Sequence, residues 1–324
     1  DDMTSLLQDY SQHVPLLDQV LPPDDDALLE AVQISPDSAT GIDGIPFAMW
    51  RLAPHLAVSI LRDAFDHIAA GRFDQLPPLV QLLVWIPKAD AGNHPDQWRP
   101  LAMPITIFRI LAAAVHRWLS HECTNLLHPA QALIGHFREP QDNFVWGQEF
   151  LYRGDLGQHE DLRIKQSWEA YSAGSSHPTS HSGEDLRSVV LSDVAKAFEK
   201  VSPEWLLRVL QARRAPMWLY NLAKFLTSPR YSDTKIGGHV VKRWCMRIGV
   251  DMGNAISPLL FCLAIDPIIV SLNRISYNIA VRAYMDDTTI NCSGVKAIIT
   301  AQEVMSRYEP AGITMTRHKC HKIM

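Results

Sequence analysis

IAVRAYMDDTTINC, running from Ile279 to Cys292, reads as two short strands around a polar turn. Both flanks are rich in β-branched and aromatic residues, which suit a pleated, half-buried surface. The turn sets two adjacent carboxylates, Asp286 and Asp287, at the tip of a β-hairpin. Hard divalent cations take carboxylate oxygens, and two-metal phosphoryl transfer needs several of them around ions about 3.5–4 Å apart. A third carboxylate is therefore expected elsewhere in the chain. An Asp-Asp turn alone is commonly a solvated loop tip, so the reading depends on the rest of the sequence.

Three further segments supply that context. Ser188–Asp193 (SVVLSD) is a buried-type strand ending in an acid, followed by VAKAFEKV at 194–201. Gly249–Phe261 (GVDMGNAISPLLF) is a glycine-bearing loop that opens an apolar helix. Upstream lie Ile86-Pro87-Lys88 and Trp98-Arg99-Pro100-Leu101. In this order and at these spacings the set resembles the reverse transcriptase domain of non-LTR (LINE-type) retrotransposons. The resemblance runs from about Thr40 to the last residue. It includes Gly41–Pro46 (GIDGIP), Gln131-Ala132 with Gly135-His136-Phe137 and Asp142-Asn143, and Ala311-Gly312-Ile313 with Lys319 and Met324. The Asp193 strand matches the family's motif A, the Gly249 loop motif B, the Asp286-Asp287 turn motif C and the Ala311 segment motif D. In motif B, where the family has Arg-Gln-Gly-Asp-Pro, this chain has Asp251-Met252-Gly253-Asn254-Ala255. Met252 thus replaces a glutamine that lies by the template and nucleotide.

The resemblance implies an RNA-directed DNA polymerase that extends a DNA primer on an RNA template with dNTPs. It implies two Mg²⁺ ions, with Mn²⁺ as a substitute, held by Asp193 and Asp286, with Val194 beside them and Asp287 as a weaker member. One ion would activate the primer 3′-hydroxyl and the other stabilise the departing pyrophosphate. Lys88 and Arg99 match positions that clamp the triphosphate, and a guanidinium fork suits phosphate oxygens. Phe198 matches the side chain that packs under the sugar and excludes a 2′-hydroxyl. Gly253 matches a close backbone approach to the nucleotide, and Ser257, Pro258, Tyr284 and Met285 match template-primer positions. Lys319 is the expected proton donor to pyrophosphate, with His321 and Lys322 as near alternatives. The fold implied is α+β, a right-hand polymerase of fingers and palm, with the thumb absent. The palm is a small antiparallel sheet of split βαβ (ferredoxin-like) order with helices on one face. Two other readings are a catalytically silent nucleic-acid-binding remnant of such an element and an intron-encoded maturase-type enzyme.

Composition bounds these expectations. The 324 residues carry a net charge of −5, an unusual balance for a protein that grips phosphates. Ten acids and no Lys or Arg fall in residues 1–50, leaving 30 basic against 25 acidic residues in the remainder. Trp205–Val250 is the most basic stretch. It holds Arg208, Arg213, Arg214, Lys224, Arg230, Lys235, Lys242, Arg243 and Arg247 against Asp233 alone, which makes it the expected template-primer surface, with Arg213 and Arg214 foremost. Five scattered cysteines without a CxxC pair point to reduced thiols, no disulfide partner and an intracellular setting, nuclear or cytoplasmic. Eighteen uninterrupted apolar residues occur nowhere, so no membrane is expected. Asp1-Asp2 in place of a start methionine, and an end at motif D, read as a fragment without endonuclease or RNase H units.

Three units are expected along the chain. Residues 1–38 form an acidic, proline-punctuated lead-in with a helix at Asp26–Gln33. Residues 39–187 form the fingers. These hold a helical period from Pro46 to Gly71, a strand at Leu82–Ile86, a polar turn at Asp90–Gln97 and an apolar helix at Ile105–Leu126. They also hold a helix beginning near Asn143 and a mobile Ser/Gly/His-rich insertion at about 170–185. His177 and His181 in that insertion have a metal-like spacing, but Pro and Gly would not hold it helical. Residues 188–324 form the palm, with helices at Pro203–Leu226 and Ser257–Leu272.

Overall fold

Two four-stranded sheets organise the described residues. The structure is a computed structural model and describes residues 2–88, 94, 97–122, 126–131, 145–148, 150–151, 187–194, 196–236, 239–314 and 321–323. The insertion at about 170–185 with His177 and His181, the segment Ala132–Asn143, Cys123, Lys319, Cys320 and Met324 lie outside those residues.

The first sheet is built on the hairpin that opened the sequence reading. Strands β6 (Ile279–Tyr284) and β7 (Asp287–Ser293) pair antiparallel, closing at Tyr284↔Asp287. Strand β3 (Arg187–Asp193) lies antiparallel on the other side of β7, and β8 (His321–Ile323) lies antiparallel outside β3. The order β6-β7-β3-β8 makes β7 internal, and its five central residues are all buried. Burial on both faces holds even for its polar residues Thr288, Thr289 and Asn291, which alternate with Ile290 and Cys292. On one side of the sheet lie α9 (Ser257–Ile275) and α10 (Val295–Ser306), whose apolar residues are mostly buried. On the other, a Cβ at Gly147 would stand 3.1 Å from Val189, so the 145–148 segment runs close over the strands.

The second sheet, β2-β1-β4-β5, is mixed. Strands β1 (Val80–Pro87) and β2 (Trp98–Pro104) form the expected hairpin, with Ile86 opposite Arg99. Strand β4 (Arg230–Ile236) pairs with β1 in parallel, and β5 (His239–Met246) returns antiparallel to β4. Both β4 and β5 fall within residues 188–324 yet join the upstream hairpin, so the two halves of the chain share a sheet.

The helices follow the apolar periods, with breaks where proline forbids continuation. The expected helix from Pro46 is two helices, α3 (Phe47–Leu52) and α4 (Pro54–Ala69), since Pro54 pushes Ala53 out of helical backbone. Likewise Pro203–Leu226 is α7 (Pro203–Ala212) and α8 (Met217–Thr227), preceded by the short α6 (Ala197–Lys200). Helix α5 spans Thr106–Glu122. Helix α9 is long and apolar enough to cross a membrane by length and composition, but it is the central core helix, with Leu259 to Val270 all buried.

Residues 2–38 are more than a lead-in. Helix α1 (Asp2–Ser11) packs on α7 and α9, and α2 (Asp25–Gln33) on α4 and α5. Leu7, Tyr10, Val14, Leu17, Leu28 and Val32 all belong to the main core. Helix α2 begins where the sequence sets its cap, Asp24 accepting from the Ala27 N–H at 2.8 Å.

Candidate active site

Strand register brings the acids together. In the β3–β7 ladder Asp193 stands directly opposite Asp287. Opposed Cα atoms in an antiparallel pair lie about 4.5–5.5 Å apart, and Asp286 is one step of about 3.8 Å further along the chain. The Cα atoms of Asp193 and Asp286 are therefore within roughly 9 Å, although 93 positions separate them in sequence. Asp286 is half-buried at the turn, Asp287 is exposed, and Val194 beside the strand end is buried. Asp193 is described by its backbone alone. Among the described side chains no three His, Cys, Asp or Glu residues converge, so the meeting of acids rests on this register. An all-carboxylate set suits Mg²⁺ or Mn²⁺, and no thiolate or imidazole of the zinc type stands in it.

The turn itself is tight. Met285 has φ +53°, a left-handed conformation that costs a non-glycine residue about 1–2 kcal/mol. Beneath it on α9 the buried Cys262 thiol has its pKa pushed well up, first by burial and then by the charges of Asp266 and Asp286, against the Met285 backbone amide. A neutral thiol therefore underlies the acidic tip.

The loop from Gly249 to Ile256 is fixed on three sides. Gln81 Nε2 donates to Asp251 Oδ1 at 3.0 Å, and Arg230 Nε to the same oxygen at 2.6 Å. The Ala102 N–H of β2 donates to the Met252 carbonyl at 2.8 Å, and the Val250 N–H to the Phe198 carbonyl at 2.7 Å. Gly253 has φ +104°, and a Cβ there would stand 2.8 Å from the Ala102 carbonyl. Close packing against β2 thus already requires this glycine. Phe198 stacks on Phe261 at 5.3 Å between ring centroids. With Met252, Asn254, Ser257, Pro258 and Arg109 it lines an open cavity of about 480 Å³.

The remaining expected residues divide. Lys88 and Arg99 are exposed near the free end of the β1–β2 hairpin, where the Lys88 N–H donates to the Gln97 carbonyl at 2.9 Å. Tyr284 is half-buried at the end of β6, and Arg214 is exposed in the α7–α8 turn. Arg213 does not belong to a nucleic-acid surface. It is 0% exposed and donates through Nε and Nη2 to the Pro15 carbonyl at 3.1 and 3.0 Å, and through Nη1 to the Leu126 carbonyl. Its guanidinium also faces the buried Asp266. Arg230, 2% exposed, is likewise consumed inside, by Asp251. Formal charge counts overstated the basic surface because a buried guanidinium and a solvated one look the same in sequence.

Gln81 and Asp266 were not singled out from the sequence, and Asp251 and Arg230 take a holding role there that was not expected of them. Gln81, Asp251 and Arg230 hold the 249–256 loop, and Asp266 organises the core behind it. The signal for Asp266 was present: a lone acid in the run LLFCLAIDPIIVSL is almost never buried without partners.

Comparison with known proteins bears on this arrangement. Residues 86–324 match the family model described as reverse transcriptase (RNA-dependent DNA polymerase). Over 86 residues the chain is 29% identical to the Retrovirus-related Pol polyprotein from type-1 retrotransposable element R2 of Popillia japonica, covering 26% of this chain and 14% of that protein. Over 303 residues it is 23% identical to the Transposon TX1 uncharacterized 149 kDa protein of Xenopus laevis, covering 88% of this chain and 21% of that protein. The chain spans about a fifth or less of the length of these curated relatives.

Proposed function

The chain belongs to the reverse transcriptase (RNA-dependent DNA polymerase) family, and from that premise we propose that it is the polymerase portion of a non-LTR retrotransposon protein, copying an RNA template into DNA. The similarity to two proteins named for mobile elements supports the retrotransposon setting. One observation carries the catalytic reading: the register that sets Asp193 against Asp287, beside Asp286, at one end of the β3–β7 ladder. In this reading residues 39–187 supply the fingers and 188–324 the palm, with an intracellular site of action.

Asp193 and Asp286 would hold the divalent ions, with Asp287 as a weaker oxygen donor. Bound Mg²⁺ supplies the positive charge that favours the ionised primer hydroxyl and the departing pyrophosphate. The exposed Lys88 and Arg99 side chains meet the triphosphate from the hairpin end. Phe198 sets the floor under the sugar and leaves no room for a 2′-hydroxyl. Ser257, Pro258, Tyr284 and Met285 border the template-primer path, which Arg214 and the exposed Lys235, Lys242 and Arg247 extend. Met252, directed at the cavity, gives the template an apolar contact in place of an amide.

Primer extension tests the reading on the chain within its full-length protein, with an RNA template, a DNA primer, dNTPs and Mg²⁺. Asp286→Ala is expected to lower incorporation by about 10³-fold or more, the scale of losing an electrostatic catalytic group. Equal incorporation by parent and variant, or template binding without extension by the parent, would contradict it.

A further inference from the structure

The turn that carries Asp286 is held from behind by a residue so far without a role. Gln131 is 0% exposed. Its backbone bridges in parallel to Ala283, and the Ala283 N–H donates to the Ala130 carbonyl at 2.8 Å. Its side-chain Oε1 accepts from the Met285 N–H at 3.1 Å. Met285 is the residue in left-handed backbone, so this bond secures the one strained link of the turn, next to Asp286. Gln131 Nε2 has no partner among the described residues, which leaves the carbonyl as the working end of the amide.

The segment that presents Gln131 is itself pinned. The Gln131 N–H donates to the His128 carbonyl at 2.8 Å, and the Ala130 N–H to His128 Nδ1 at 3.1 Å. The His128 N–H donates to Asp266 Oδ1 at 2.7 Å, and Arg213 Nη1 donates to the Leu126 carbonyl. Asp266, wholly buried on α9, also accepts from the Tyr10 hydroxyl at 2.7 Å and lies 3.9 Å from Arg213 Nη1. A hydrogen-bonded path thus runs from α1 through α9 to residues 126–131 and on to the hairpin tip. Tyr10, Leu126, Gln131, Arg213 and Asp266 are buried and His128 and Ala130 half-buried, so the path acts as a fixed mount.

We propose that Gln131 is a positioning residue: its side-chain carbonyl holds Met285, and through it sets where the Asp286 carboxylate stands. The catalytic consequence rests on Asp286 being a metal ligand, whereas the geometric one stands by itself. Misplacement of a reacting group by about 1 Å costs on the order of 100-fold in rate, so the acceptor would act on turnover more than on nucleotide binding.

Hydrogen exchange read by mass spectrometry on peptides covering Ile279–Thr288 tests the mount without reference to catalysis. Gln131→Met keeps the shape and removes the acceptor, and the tip is expected to exchange about fivefold faster or more, with β3 and α9 unchanged. Gln131→Ala serves in the same assay if the thioether is not accommodated. In a parent that incorporates dNTPs, Gln131→Met should lower kcat by about 10- to 100-fold with KM for dNTP changed by less than about threefold. Parental exchange in both Gln131→Met and Gln131→Ala would overturn the proposal. Faster exchange with unchanged kcat would overturn its catalytic half. A parent that incorporates nothing counts against the polymerase reading, and the exchange result still decides the mount.

Discussion

Gly312 shows how single residues tie distant segments together. It has φ +81°, and a Cβ there would stand 1.8 Å from the Lys200 carbonyl. The Ser202 N–H donates to the neighbouring Ala311 carbonyl at 3.0 Å, so the turn after α10 is laced to the α6–α7 loop. A side chain at 312 meets both a backbone clash and a left-handed conformation. Gly312→Ala is expected to destabilise the fold by about 2 kcal/mol or more, visible as a lower urea midpoint with an unchanged slope. Residue-scale chemistry was only partly legible beforehand. Asp193, Asp286 and Asp287 stood out because acids at strand ends are conspicuous. Arg213 was misplaced because nothing in its own neighbourhood announces Asp266, 53 positions later, or the Pro15 carbonyl.

Elements were most legible where one local period governs them. The β6–β7 hairpin, β3 and the apolar α9 follow from patterns contained within each segment. What the chain does not announce locally is the partner of β4, whose parallel match to β1 joins Val80 to Tyr231 across 151 positions. Strand residues fix a face and a propensity, but not a partner. The two helix breaks at Pro54 and Pro216 were readable from proline chemistry, yet the apolar spacing that runs across them suggested continuity. The β4–β5 pairing is also where titration enters. Arg243 donates twice to Asp233, at 2.6 and 2.7 Å, and this holds the Asp233 pKa below its usual value against the opposing effect of burial. A carboxylate with a depressed folded pKa stabilises the fold above its unfolded value of about 3.9, and that stabilisation is lost as pH falls through the folded pKa. Asp233→Asn is therefore expected to be less stable than the parent at neutral pH, and to close the gap as urea melts are repeated below about pH 4.

At the scale of the molecule, the acidic N-terminal stretch is tied into the body of the fold. Three of its carboxylates pair with arginines of the helical body: Asp25 with Arg62, Glu30 with Arg117 and Asp37 with Arg51. These partly exposed pairs each contribute little, about 0–1 kcal/mol. Tyr10 goes further, reaching the buried Asp266. Removing residues 1–17 strips Asp266 of a donor and Arg213 of the Pro15 carbonyl, and uncovers apolar surface on α7 and α9. The truncated chain is expected to lose about 3–5 kcal/mol, as for other broken buried charge networks, measured by denaturant melts against the intact chain.

The central claim is that Asp193 and Asp286, remote in sequence, serve one cation site. Its most direct test is Mn²⁺ binding followed by electron paramagnetic resonance, comparing the parent with Asp193→Asn and Asp286→Asn in the presence of dNTP. The account predicts that each substitution weakens Mn²⁺ binding by about tenfold or more, since losing even an outer partner of a metal ligand costs about that much. Parental Mn²⁺ affinity in Asp193→Asn, with Asp286→Asn impaired, would contradict it.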